Sequence, residues 1–218
     1  MSAEILQVTS FSLAMAAVAT LVMLPPGVGL AWVLARRSFW GQHVIETLVT
    51  LPLVLPPVAT GLILLKLLGR RGPLGRVLDA AGIEIIFTWR AVVVAMAVMG
   101  LPLLVRAARS GFEQVDRRYE QIAETLGASP ARVFFTISLP LARRGVLAGA
   151  VLGFSRALGE FGATIMIAGA LPGTRTLSVA IYSYTQTGRD AAAVALLVAA
   201  ATIAFAAVFV SNRLSTPS

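Results

Sequence analysis

Two charged residues stand where charge is expensive. Arg156 and Glu160 lie four positions apart inside an apolar stretch from Gly145 to Ala170, and a helix sets such residues one turn apart on one face. A charge at that depth costs about 2.5–3.5 kcal/mol on insertion scales, so it persists only when paired or facing water or other polar groups. An arginine there suits a tetrahedral oxyanion, yet Glu160 opposes it. Two readings stay open: a neutralised pair holding a bundle together, or a polar seam touched by a passing anion. Thr60 and Gly61, just after Pro56 and Pro57, are further candidates for lining such a pathway.

Other chemistry is poorly supplied. The only histidine is His43, cysteine is absent, and no aspartate falls within an apolar run. An intramembrane Ser–His pair, an aspartate dyad or a thiolate metal site is thereby excluded. There is no G-x-x-x-x-G-K-[ST] phosphate loop, so any ATP must be hydrolysed by another chain. The sequence thus predicts no enzyme, with no metal and no cofactor of its own.

The elements that must position these residues follow from composition. Of 218 residues, 57% are apolar and 13% charged, against about 25% charged in average soluble domains. A soluble domain this small has too little interior for that surface, so lipid must cover part of it. No long polar linker interrupts residues 1–218, which read as one domain. Crossing the hydrocarbon core takes about 20 apolar residues. The spans fall at about 11–35, 47–68, 85–105, 145–170 and 191–211, an all-α integral membrane protein of about five transmembrane helices. Glu4 precedes the first span and no Lys or Arg does, unlike a signal peptide, so that span is expected to be retained.

Formal net charge is +8. In a soluble chain this would point to nucleic acid; here the basic residues cluster between apolar runs, where anchoring and orientation explain them, and no nucleic-acid partner is expected. With Arg156 set aside, ten basic residues, Arg213 among them, fall on one face and seven on the other. The bias puts the loop after the third span in the cytoplasm, the N-terminus outside and the C-terminus inside. Proline recurs within spans at Pro25–Pro26, Pro52, Pro56–Pro57 and Pro102. Each removes a hydrogen bond and kinks its helix, through ordinary bundle curvature or along a pathway.

The longest polar stretch, about 113–140, is patterned. Tyr119, Ile122, Ala123 and Leu126 recur at helical spacing, with Glu120, Gln121 and Glu124 facing away from that stripe. Gly127 can end this helix in a left-handed turn. After Ala128, Ser129 is placed to cap a second helix, with Pro130 at its first position and Arg132 in its first turn. Val133, Phe134 and Ile137 give the second helix an apolar side, and Leu139–Pro140 is expected to end it. A solvated connector and a docking element both fit. A DNA-reading helix-turn-helix does not, because the second helix has few exposed polar residues.

Gly127, Ile137, Leu139 and Pro140 stand at the spacing of a known signature. The segment resembles the EAA loop of ABC-importer permeases. Ala123 matches that loop, while Gln121 stands in place of its first glutamate and Ile122 in place of an alanine. The resemblance extends to LPLVLPPVATG, GPLG, SRALGEFGATIMIAG and PGTRTLSVAIY, which look like the molybdate-type branch. It implies a type I ABC-importer permease fold in the plasma (inner) membrane of a prokaryote, carrying molybdate or tungstate, with sulfate or another oxyanion as the alternative. It also implies that the loop from Tyr119 to Arg132 couples to a cytoplasmic ATPase subunit, and that an extracytoplasmic oxyanion-binding protein delivers cargo. Five helices enclose a pathway poorly, so a second copy is expected to supply the other wall, giving a homodimer with two ATPase subunits. A secondary transporter is the rival; it wants a coupling-ion site of paired acids or broken helices, whereas only Glu160 is at hand and the cytoplasmic loop would lack a purpose. Leu177, Ala180, Ile181 and Tyr184 share one side of a further helix, either lying along the outer surface or packed on the bundle.

Overall fold

The computed structural model describes residues 2–215, with side chains described for 3–206, 208 and 209. The side chain of Arg213 and residues 216–218, on which the C-terminal orientation partly rests, lie outside these. Among the described residues every regular element is helical. In chain order they are α1 (Ser2–Arg36), α2 (Gln42–Val54), α3 (Pro57–Leu68), α4 (Pro73–Ala80), α5 (Trp89–Glu113), α6 (Arg117–Thr125) and α7 (Pro130–Val133). A π-helical turn (Phe134–Ser138), α8 (Leu139–Leu141), α9 (Arg143–Leu158), α10 (Gly162–Ala168), α11 (Leu177–Gln186) and α12 (Asp190–Ser215) complete the chain.

The central helix is α5, which packs chiefly on α9 and α1. Its crossing with α9 is made by small residues. A Cβ added to Gly145 would stand 2.6 Å from the Cα of Gly111, one on Gly149 would stand 2.8 Å from the Leu104 carbonyl oxygen, and one on Gly100 would meet the Gly153 carbonyl oxygen at 2.7 Å. Such close backbones gain dispersion contacts where lipid gives helices no hydrophobic reason to associate. The glycine repeat at Gly145, Gly149 and Gly153 is therefore spent within the protomer. Two cores line α1 and α5, one around Met96, Met99, Ile167 and Leu177, the other around Met23, Leu104 and Phe112. The exterior is correspondingly apolar: Leu21 is 67% exposed, Val54 81% and Phe205 74%.

Two predicted spans are not single helices. The segment 47–68 turns by 117° between α2 and α3. Leu55 precedes proline and is extended, Pro56 has no N–H to continue the ladder, and Pro57 opens α3 at its first turn. The pair still joins opposite ends of α5: Glu46 contacts Arg109 near one end at 2.6 Å, while Leu68 and Gly69 share a cleft with Thr88 at the other. The segment 145–170 breaks after α9, at Gly159–Phe161, before α10 resumes. By contrast α1 runs through Pro25–Pro26 and α5 through Pro102 without interruption. Pro102 costs one bond that a long helix survives, and α1 survives even a proline pair; what differs at Pro56–Pro57 is the extended Leu55 before them, and there the chain turns.

Packing also settles how α11 lies. Leu177, Ala180 and Tyr184 of α11 are buried in the bundle, and the Leu177 N–H donates to Ser12 Oγ at 2.7 Å. This is the packed arrangement rather than a helix lying free on a surface.

Candidate functional site

The hairpin is built from local rules. Asp116 Oδ1 accepts from the Arg118 N–H at 2.9 Å and so caps α6. Gly127 takes φ +85°, the left-handed conformation that glycine adopts without penalty. The Ala128 N–H then reaches back to the Ala123 carbonyl at 3.0 Å, closing α6 in a Schellman turn. Ser129 Oγ accepts from the Arg132 N–H at 3.4 Å, with Pro130 opening α7. The expected stop at Leu139–Pro140 is passed: the π turn widens the register, with the Leu139 N–H bonded to Phe134, and Pro140 is carried inside α8. The chain bends by 75° only afterwards, at Ala142.

Tyr119, Ile122 and Leu126 are 56%, 58% and 82% exposed, with Ala123 half-buried, so the apolar stripe points away from the protein. Gln121, Glu124, Gly127, Ser129 and Arg132 are exposed around it, and Ala128 is half-buried. Glu120 is the residue turned inward, its carboxylate held by Arg36 at 2.9 Å and by the Ser138 hydroxyl at 2.6 Å. The reason is electrostatic: Arg36 ends α1 beneath the hairpin, and a buried guanidinium needs a counter-charge more than three exposed apolar groups need cover. Periodicity identifies a stripe but not which side of it the protein occupies. Arg36 and Ser138, which fix that side, carry no signal in the spacing.

At the second break Glu160 is 1% exposed. Its Oε1 accepts from the Ala163 N–H at 2.7 Å, capping α10, and its Oε2 lies 2.8 Å from Arg156 Nη1. The latter is an ion pair without hydrogen-bond alignment. Arg156 and Glu160 are thus brought together within one protomer, though across a break rather than along one helix face. Thr60 is buried where α3 crosses α10. Gly61 is a contact point: a Cβ there would sit 2.8 Å from the Ala163 Cα. It does not open onto space in the single protomer. Thr60 Oγ1 and Thr164 Oγ1 are buried without hydrogen-bond partners, and Thr164 was not among the residues the sequence singled out.

At the other end of the bundle Glu4 is bound by Arg189, 2.8 Å from its Nη2, and by the Tyr184 hydroxyl. These two donors, Arg189 first, pull its carboxyl down to about 2.

A bundle of long apolar helices crossing at glycines, broken twice, with a capped hairpin presenting apolar residues outward, defines the class: an all-helical membrane permease of the type I ABC-importer fold. A family model described as "Binding-protein-dependent transport system inner membrane component" matches residues 27–216, and the chain belongs to that family. It is 45% identical over 212 residues to the molybdenum transport system permease protein ModB of Escherichia coli (strain K12), covering 96% of this chain and 93% of that protein. With the ModB of Haemophilus influenzae it shares 48% over 180 residues, 82% of this chain and 79% of that protein. Among solved structures, a bacterial alginate ABC transporter matches with a TM-score of 0.71 at 17% identity, covering 96% of this chain and 77% of that one. An inward-facing MetNI methionine ABC transporter matches with 0.66 at 19%, covering 97% and 96%. The protein is a multi-pass inner-membrane permease.

Proposed function

We propose that this chain is the permease of an ATP-driven importer of molybdate or tungstate. Two copies would pair to enclose the pathway, each docking one ATPase subunit that hydrolyses the ATP, a reading supported by the lack of a G-x-x-x-x-G-K-[ST] motif in the sequence. The observation that carries the coupling role is the outward stripe of Tyr119, Ile122 and Leu126 on a doubly capped hairpin. An exposed apolar row rimmed by polar residues is the signature of an interface. The charge bias supports a cytoplasmic hairpin, with the N-terminus outside, the C-terminus inside and an oxyanion-binding protein meeting the opposite face. α1, the bent pair α2–α3, α5, the broken α9–α10 and α12 would be the five crossings. The α3–α10 crossing, with Thr60 and Gly61 beside the Arg156–Glu160 break, would then form one wall of the pathway, and lipid would cover the remaining apolar surface. The substrate reading draws on the near-full-length likeness to molybdenum permeases.

Uptake of labelled molybdate by vesicles carrying the assembled transporter tests the proposal. Molybdate uptake that needs ATP and resists excess sulfate is expected; sulfate uptake in its place would transfer the assignment to that oxyanion. ATP-independent uptake would overturn the importer reading. In the same preparation, Gly127→Val should abolish ATPase co-purification while the chain still inserts. Nothing lies within 4 Å of where its Cβ would stand, so the damage is confined to a turn whose left-handed backbone costs an L-residue about 1–2 kcal/mol.

A further inference from the structure

The hairpin is fastened to one helix of the bundle by a buried polar joint. Arg36 closes the last turn of α1, with its side chain 7% exposed and that of Glu120 12%. Its Nε lies 3.0 Å from Glu120 Oε1 and 2.9 Å from Oε2, and its Nη2 donates to the Val115 carbonyl at 3.0 Å. Ser138, buried in the π turn, donates its hydroxyl to Glu120 Oε1 at 2.6 Å. Arg117 returns a bond to the Ala35 carbonyl at 3.1 Å, and the Trp32 ring meets Phe134 edge-on with centroids 5.3 Å apart. The start of α6, the π turn and the α5–α6 linker therefore all converge on the end of α1.

α1 in turn runs against α5 and α9 for much of its length. Met23 sits at the Gly100–Gly153 contact of those two helices, so near that a Cβ on Gly153 would come within 2.5 Å of its Cε. A shift of α6 thus reaches the glycine crossing through α1.

We propose that Arg36, Glu120 and Ser138 form the joint through which movement of the docking hairpin enters the membrane along α1. Arg36 is then a positioning residue for energy coupling. A buried ion pair is a poor source of net stability, since apolar groups of similar volume hold two helices together as well. What the pair does supply is direction: it fixes which face of α6 turns inward, and a planar guanidinium that holds the Glu120 carboxylate through Nε and the Val115 carbonyl through Nη2 transmits both push and rotation. The π turn adds a register that π-helical insertions bring to functional sites. The inference rests on the docking role proposed above.

The test uses Arg36→Gln, Arg36→Lys and Ser138→Ala in the complete transporter reconstituted in vesicles. It reads ATPase co-purification and molybdate taken up per ATP hydrolysed. We expect co-purification in every variant and a fall in uptake per ATP of roughly 2- to 30-fold for Arg36→Gln, the range for residues that carry coupling without touching a ligand. Arg36→Lys should recover part of the ratio, and Ser138→Ala should lose less than Arg36→Gln. An unchanged ratio in Arg36→Gln and Ser138→Ala would overturn the joint, as would uptake and hydrolysis falling together. ATPase lost from Arg36→Gln but kept by the unaltered chain would also overturn it, by making the cluster a support for the docking surface. If Arg36→Gln does not fold, Arg36→Lys and Ser138→Ala decide by the same ratio. An unaltered chain that binds no ATPase would instead sink the docking role itself.

Discussion

At the scale of single residues, Glu160 has two tasks that can be separated. One oxygen caps α10 through the Ala163 N–H, and the other lies against Arg156, whose side chain is 25% exposed. Glu160→Gln keeps an amide oxygen for the cap and removes the charge. Arg156 would then remain mostly buried without its counter-ion, a loss on the order of 3 kcal/mol for a broken buried pair. The double change Arg156→Gln with Glu160→Gln removes both charges and should recover most of that loss. Reversible unfolding in mixed detergent micelles measures both, and a single variant as stable as the unaltered chain would refute the coupling. The charges were conspicuous in the sequence because each is costly alone. Their pairing was one of two arrangements the spacing allowed, and the cap was invisible there, since it exists only because the helix stops at Gly159.

Helices were legible wherever composition alone decides them. The apolar runs at α1 and α5 are long enough to announce themselves, and the uncharged run after Asp190 gives α12. The breaks were not, because the local sequence does not decide them: the turn at Pro56–Pro57 leads into a helix packed on α10, and Pro25–Pro26 shows the same dipeptide inside a continuous helix. The glycine repeat announced close packing but not its partner, since Gly100 and Gly111 of α5 share no obvious period with Gly145, Gly149 and Gly153. With the partner known, the repeat becomes graded. A Cβ on Gly145 would meet backbone atoms of Gly111 and Ala107, which cannot yield without moving α5, whereas one on Gly153 would chiefly meet the flexible end of Met23. Gly145→Ala should therefore cost about 1–3 kcal/mol by overpacking, and Gly153→Ala clearly less in the same unfolding measurement. Equal costs would mean that the α5–α9 crossing adjusts as a whole.

For the molecule as a whole, the distribution of clasps matters more than any one helix. At one end Arg36 and Arg109 bind Glu120 and Glu46, tying α1 to the hairpin and α2 to α5. At the other, Glu4 joins the start of α1 to Tyr184 of α11 and to Arg189, just before α12. The first and last long helices are thus closed on one another by a carboxylate that must be ionised. Its pKa, about 2 when folded against an ordinary value of 4.5, sets the sign. The unfolded chain binds the proton more readily, so the clasp stabilises fully above pH 4.5, and its contribution is lost as pH falls from there towards 2. Arg189 and Tyr184 stay protonated throughout that window, so the carboxyl alone titrates. Comparing the unaltered protein with Glu4→Gln isolates it: the stability difference in detergent should be constant above pH 5, shrink through pH 4 and 3, and vanish near 2. Because the clasp is exposed, salt should narrow the difference as well. A difference that persisted undiminished at pH 2 would mean that Glu4 serves through its hydrogen bonds alone, with no ionic closure between the two ends of the chain.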